Sequence, residues 1–177
     1  MKRICVFCGS QQGGKAVYLH AAKTLGAGLA QRGIGLVYGG GALGLMGAVA
    51  DAALSAGGEV IGVVSRQFAA QEKVHDALTR VYVATTAPER MGLMAELSDA
   101  FMVLLGGIGT LEEFWEVLTL IQRAESRKPC GLINVEGFYD DLLSFLDHAA
   151  EEHLFPSRRS ILMVEKEPDE LLIRLCA

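Results

Sequence analysis

Several features are scarce in this chain, and each scarcity excludes something. No stretch approaches the ~18 consecutive apolar residues of a membrane-spanning helix. There is no basic tail and no Lys/Arg block, and the formal net charge is −5. A surface that tracks nucleic-acid phosphates is therefore not expected. The opening "MKRICVFCGS" has too short an apolar run for a signal peptide and breaks at Gly9-Ser10. With 4 cysteines and no targeting segment, the expectation is a reducing cytoplasm. Cys5 and Cys8 form C-x-x-C, but no second pair follows at zinc spacing, and odd spacing on a strand puts the two on opposite faces. They read as buried structural cysteines, and no metal site is expected. Proline (4) and aromatic residues (7%) are also sparse.

Hydrophobic residues make up 51% of the chain, and there are 21 glycines. This is a globular profile. The length of 177 residues suits one domain spanning 1–177. Such a chain buries roughly 70% of its unfolded surface and needs no disulfide or metal to fold.

Short apolar runs alternate with helical patterns. Strands are expected at 3–9, 34–41, 58–65, 80–86, 100–107 and 128–137, with a short one near 161–165. Helices are expected at 16–32, where Val17, Ala21, Leu25 and Leu29 recur at spacing four, and at 44–56, 88–98, 110–124 and 138–152, with another after Pro168. Residues 66–79 read as a loop. Near-continuous apolar strands are buried on both faces, as in a parallel sheet covered by helices. The alternation predicts an α/β fold with a doubly wound parallel sheet. Small and polar residues follow the strands, among them Gly9-Ser10, Gly39-Gly40-Gly41, Thr85-Thr86, Gly106-Gly107 and Asn134. Ligands bind at that edge of open parallel sheets.

Two glycine-rich loops stand out. "GGGALGLMG" contains G-x-G-x-x-G at Gly39, Gly41 and Gly44, but after the second strand. The acidic residue some 20 positions on, Glu59, opens the third strand instead of ending it, which argues against NAD or FAD. The remaining readings are a tight turn with close helix packing, or a glycine wall for one phosphorylated ligand at Gly39, Gly40 and Gly41. The second loop, "LLGGIGTLEEFWEV", runs from Leu104 to Val117. Its glycines permit close backbone approach, and the following helix N-terminus can receive a phosphate. There is no Gly-Lys-Ser/Thr, so it is not an ATPase loop. Thr110-x-x-Glu113 fits a helix capping box, and spacing alone leaves open whether Glu113 caps or does chemistry. Glu112 is expected to face solvent. Leu111, Phe114, Leu118 and Ile121 form a core or partner-facing stripe, widened by Trp115, Val117 and Leu120. Read by themselves, Arg90 fits a surface ion pair with Glu89 or Glu96, and His75 fits an exposed loop.

At these residues the chain resembles the Lonely Guy family of cytokinin riboside 5′-monophosphate phosphoribohydrolases, often mislabelled lysine decarboxylases. The family hallmark P-G-G-x-G-T-x-x-E reads here Leu105-Gly106-Gly107-Ile108-Gly109-Thr110-Leu111-Glu112-Glu113. The resemblance also covers "CVFCGS", "LVYGGGALGLMG", "DAALSAGGEVIGVV" and "GLINVEGFYDDLL". It implies a Rossmann-like domain that forms homodimers. It also implies cofactor-free hydrolysis of adenine-type nucleoside 5′-monophosphates to free base and ribose 5-phosphate. The resemblance places catalysis on Arg90 and Glu113. Substrate contacts would come from Glu72, Arg90, Gly106, Gly107, Ile108, Gly109, Thr110, Glu113 and Thr119. Three positions depart from the pattern. Leu105 replaces the hallmark proline, and Pro88 and Met91 replace the histidine and lysine of His-x-Arg-Lys. The alternative these departures suggest is a nucleotide-binding homologue with little turnover.

Overall fold

The computed structural model describes residues 1–67, 73–157 and 160–177. Its strands are β1 (Arg3–Phe7), β2 (Gly35–Tyr38), β3 (Val60–Ser65), β4 (Arg80–Ala84), β5 (Ala100–Val103), β6 (Cys130–Ile133) and β7 (Met163–Glu165). The helices among the described residues are α1 (Ala16–Gln31), α2 (Gly44–Ser55), α3 (Ala87–Leu97), α4 (Ile108–Gln122), α5 (Asp140–Glu151) and α6 (Pro168–Cys176). The seven strands form one sheet in the order β4-β3-β2-β1-β5-β6-β7, and every named pairing is parallel. The expected doubly wound α/β architecture is present.

Strand alternation divides the core into two layers. Ile4, Val6 and Cys8 pack with Leu25, Leu29, Val49 and Leu172, from α1, α2 and α6. Cys5 and Phe7 pack with Met94, Phe114, Val117 and Leu143, from α3, α4 and α5. The two cysteines thus lie on opposite faces of the sheet, both buried and both unbridged. Phe7 stacks on Phe101 of the neighbouring strand, centroids 6.1 Å apart. Burying each such side chain stabilises the fold by about 1.5–3 kcal/mol.

One strand departs from the two-sided burial read in the sequence. β4 lies at the sheet edge, and its Val81 and Val83 are exposed. An edge strand has a neighbour on one side only, so its apolar run does not guarantee cover. The helix after β5 also begins two residues earlier than its sequence suggests, at Ile108.

From β1 the chain winds outward through β2, β3 and β4. It then returns to β5 beside β1 and winds the other way. The loops leaving β1 and β5 therefore diverge, and a crevice opens between them beyond the carboxyl ends of the strands. The two strands stay joined past their ends, since the Gly9 amide donates to the Leu105 carbonyl at 2.9 Å.

Candidate active site

A cavity of about 650 Å³ fills this crevice. The turn after β1 supplies one wall, from Cys8 to Gly13, and Leu45 and Met46 of α2 lie beside it. Opposite stands the glycine loop, Leu105 to Thr110, with Glu112 and Glu113 of α4. Ser65, Ala87 and Arg90 border one end, and Tyr18 and Phe138 lie among the remaining lining residues.

The glycine loop leads straight into α4. Gly107 is the N-cap, and the Leu111 amide donates to the Gly107 carbonyl at 3.0 Å. Thr110 therefore sits inside the first turn and is buried, so it cannot be the cap. The capping-box reading of Thr110 and Glu113 fails for this reason. The amides of Ile108, Gly109 and Thr110 precede the first intrahelical bond and have no acceptor within the helix. Gly107, Ile108 and Gly109 are exposed, while Gly106 is half-buried with no room for a side chain. A Cβ on Gly106 would stand 2.0 Å from Thr110 Oγ1, whereas one on Gly107 or Gly109 would meet nothing within 4 Å.

Glu113 turns toward α3 instead. Its Oε1 accepts from Arg90 Nη1 at 2.7 Å, and both side chains are mostly buried (17% and 19% exposed). Arg90 Nε donates to the Val63 carbonyl at the end of β3, at 2.9 Å. The guanidinium is thus aimed by a strand end, and it leaves the Glu89 or Glu96 surface pairing unmade. Burial pushes the Glu113 carboxyl up from its ordinary range, the positive charge of Arg90 opposes this, and the nearby Glu112 and Glu116 add to it. Glu89 has a different task. Its Oε2 accepts from the Thr85 amide at 2.7 Å, while Thr86 Oγ1 accepts from the Glu89 amide at 3.3 Å. Thr86 is thus the N-cap of α3, and Glu89 reaches back past it to the amide of the preceding residue; the Thr86-x-x-Glu89 spacing was visible in the sequence.

Other expected residues fall elsewhere. Thr119 is six positions beyond Glu113, about 240° around the helix. It is exposed, does not border the cavity, and its hydroxyl donates to the Trp115 carbonyl at 2.8 Å. Glu72 lies outside the described residues. Gly39, Gly40 and Gly41 are buried and do not border the cavity, although a Cβ on Gly39 would press on Arg90 Nη2 at 2.8 Å. The helix N-terminus after them is occupied from within. The amides of Leu45 and Met46 both donate to the Gly9 carbonyl, at 3.1 and 3.2 Å. Glu59 lies at the amino ends of the strands, paired with Arg3 Nε at 2.7 Å, so it cannot bind a ribose in the crevice. His75 is not exposed as its loop suggested. It donates from Nε2 to Asp51 at 2.9 Å, because its Nδ1 accepts from the Ala77 amide.

The departures are also placed. Met91 is 4% exposed and packs in the apolar layer with Phe7, Phe101 and Phe114. It does not border the cavity, so the exchange of the pattern's lysine for methionine takes no cation out of the lining. Pro88 occupies the first turn of α3, where no amide is required. Of the three, Leu105 borders the cavity, with a side chain that is almost wholly buried. Sequence reasoning missed Tyr18, Met46 and Phe138 as lining residues. A signal for Phe138 lies in "NVEGFYDD", whose glycine marks a forced turn next to a strand end.

A family model described as "Possible lysine decarboxylase" matches residues 46–175. Cytokinin riboside 5′-monophosphate phosphoribohydrolase LOG1 of Arabidopsis thaliana is 45% identical over 98% of this chain and 82% of its own length. The rice (Oryza sativa subsp. japonica) protein LOG, of the same name, is 45% identical over 98% of this chain and 72% of its own. Among solved structures, the molybdenum cofactor binding protein of Rippkaea orientalis superposes with a TM-score of 0.72. The two are 25% identical, over 100% of this chain and 99% of that one. The molybdenum cofactor carrier protein of Chlamydomonas reinhardtii, at 22% identity and a TM-score of 0.72, covers 99% of this chain and 98% of its own, and shares the fold.

Proposed function

We propose, from the premise that this chain belongs to the Lonely Guy family of cytokinin riboside 5′-monophosphate phosphoribohydrolases, that it hydrolyses the N-glycosidic bond of adenine-type nucleoside 5′-monophosphates. The observation that carries the reading is the Arg90–Glu113 pair, 2.7 Å apart, on the wall of the crevice that the glycine loop also borders. The products are the free base and ribose 5-phosphate.

The chemistry follows from the charges. As the bond between ribose C1′ and the base nitrogen stretches, its electron pair leaves with the base, which takes up a proton from solvent, while the proton later held by Glu113 returns to solvent. The sugar becomes oxocarbenium-like. The Glu113 carboxylate stabilises that positive charge and accepts a proton from the water that attacks C1′. Arg90, fixed by the Val63 carbonyl, holds Glu113 in place and offers its remaining N–H groups to the substrate. The first-turn amides of α4, reached through Gly106, Gly107, Ile108, Gly109 and Thr110, receive the 5′-phosphate. That anchor positions the sugar against Glu113.

We assign the protein to the cytoplasm and to a homodimer. Among the described residues, no helix is long and apolar enough to cross a membrane. Half-buried Trp115 of α4 lines an apolar groove together with exposed Phe145 and Leu154, on and just after α5. Light scattering of the purified protein measures the dimer directly. Glu72 and Thr119 remain proposed substrate contacts on the strength of the resemblance, and Thr119 would need a surface beyond its own crevice.

The deciding experiment compares AMP, its N6-isopentenyl form and unphosphorylated adenosine by chromatography of the products. Base and ribose 5-phosphate are expected from the monophosphates, with adenosine far poorer. Equal rates on AMP and adenosine would remove the phosphate anchor. Binding of AMP without base release would favour the nucleotide-binding alternative. The placement of Met91 and Pro88 away from the cavity supports turnover.

A further inference from the structure

The root of the glycine loop is held by the Gly9 amide from one side and by the turn after β6 from the other. Tyr139 is 3% exposed. Its hydroxyl donates to the Leu104 carbonyl at 2.8 Å and lies near the Gly106 amide. One side-chain oxygen therefore ties down the carbonyl through which the chain leaves β5, two residues before the loop's first glycine.

Tyr139 is in turn held from behind. Its amide donates to Asn134 Oδ1 at 2.8 Å, and Asn134 Nδ2 donates to Asp140 Oδ1 at 2.7 Å. The Asn134 amide donates to the Glu165 carbonyl of β7 at 2.8 Å. Between Asn134 and Tyr139 the backbone passes through Glu136 and Gly137 with φ of 52° and 71°. This left-handed pair costs conformational energy at Glu136. It brings Phe138 to the cavity and Tyr139 to the loop in successive positions. Phe138 meets Tyr139 edge-on at 4.8 Å and Tyr18 edge-on at 5.8 Å.

We propose that Tyr139 is a positioning residue for the phosphate end of the site. Its hydroxyl fixes the Leu104 carbonyl at the root of the loop, and so the direction of the α4 first-turn amides that follow. The proposal rests on the reading that those amides take a 5′-phosphate. A phenylalanine would fill the same volume and keep the edge contact with Phe138. It would leave the buried Leu104 carbonyl without the hydroxyl it accepts from, so the root of the loop would shift to pair it elsewhere. The loss should appear as weaker phosphate binding in ground state and transition state alike, which raises KM more than it lowers kcat.

The test uses Tyr139→Phe and the wild-type full chain, well below their melting temperatures. Calorimetry gives the affinities for AMP, ribose 5-phosphate and adenosine, and steady-state kinetics on AMP give kcat and KM. For the variant, Kd for AMP and for ribose 5-phosphate and KM for AMP should rise about tenfold, with a smaller change in kcat and no change for adenosine. Asn134→Ala, which keeps the hydroxyl but unseats its backbone, should give a weaker rise in the same direction. Equal losses for adenosine and AMP would overturn the proposal by showing general damage to the fold. An unchanged Kd for AMP in the folded variant would overturn it too, even if the melting temperature falls. Should wild-type protein bind AMP yet release no base, the hydrolase reading fails, while the Kd comparison still decides the role of Tyr139. Should it bind neither AMP nor ribose 5-phosphate, both fall.

Discussion

Replacing Arg90 by methionine removes a charge while keeping a long side chain in its place. In the wild-type protein, burial raises the Glu113 carboxyl and Arg90, in contact at 2.7 Å, opposes that rise. Two unit charges roughly 4 Å apart attract by about 4 kcal/mol at an effective dielectric near 20. Water in the crevice weakens this, so about 2–4 kcal/mol is the range to expect. Without Arg90 the carboxyl rises further, and the ionised form that assists water becomes scarce. Each 1.4 kcal/mol is about tenfold in ionised fraction on the acid side of the profile. Arg90→Met should therefore cut kcat on AMP by roughly 30-fold or more at low pH, with recovery as pH rises. The assay is kcat against pH at saturating AMP, paired with a carbon-13 titration of the Glu113 carboxyl in ligand-free protein. Stability carries the same signature. A carboxyl raised by folding holds its proton where the unfolded chain has lost it, so its stabilising contribution fades as pH rises through the folded pKa. The variant should extend that decline to higher pH. A profile of unchanged shape, lowered equally at every pH, would refute the reasoning and leave Arg90 as a ligand for substrate only.

Glu113→Gln should abolish base release while AMP affinity stays within about threefold, because the lost charge serves the transition state. Retained turnover in the folded variant would return Glu113 to a structural role. Gly106→Ala should raise KM for AMP sharply, since its Cβ would stand 2.0 Å from Thr110 Oγ1. Gly107→Ala, with open space around it, should do less harm, and a reversed order would refute this account of the loop. Met91→Lys places an ammonium in the apolar layer of Phe7 and Phe114. It should cost about 3 kcal/mol, or roughly 5–10 °C in Tm, without raising kcat/KM. A stable, more active variant would show that position 91 reaches the site.

The sheet was legible because parallel strands covered on both faces write themselves as apolar runs, and β1, β2, β3 and β5 do so. β4 wrote the same signal from the edge, where Val81 and Val83 meet solvent, since composition does not record which strands gain two neighbours. The start of α4 was hidden by Gly107 and Gly109, whose low helix propensity reads as loop. That misplacement made Thr110 look like a cap. The contact between Arg90 and Glu113 spans 23 residues and has no local signature. Only the resemblance pointed to the two together. Tyr139 and Phe138 looked like ordinary aromatic residues, because their importance comes from the left-handed turn before them and the neighbouring loop it reaches.

The Gly9 carbonyl, which accepts from both the Leu45 and Met46 amides, also limits what this chain can become. The first turn of α2 is satisfied by main chain, and Gly44 is pressed so close to Ser10 that a Cβ there would lie 2.2 Å from its carbonyl carbon. Side-chain substitution cannot remove a backbone acceptor. A lineage starting from this chain could exchange Leu105, Met46 or Phe138 and alter which base or sugar the crevice admits. It could not recruit α2 for a second phosphate by point mutation. That step would require inserting or deleting residues between β1 and α1, so adaptation by single substitutions is channelled toward ligands with one phosphate.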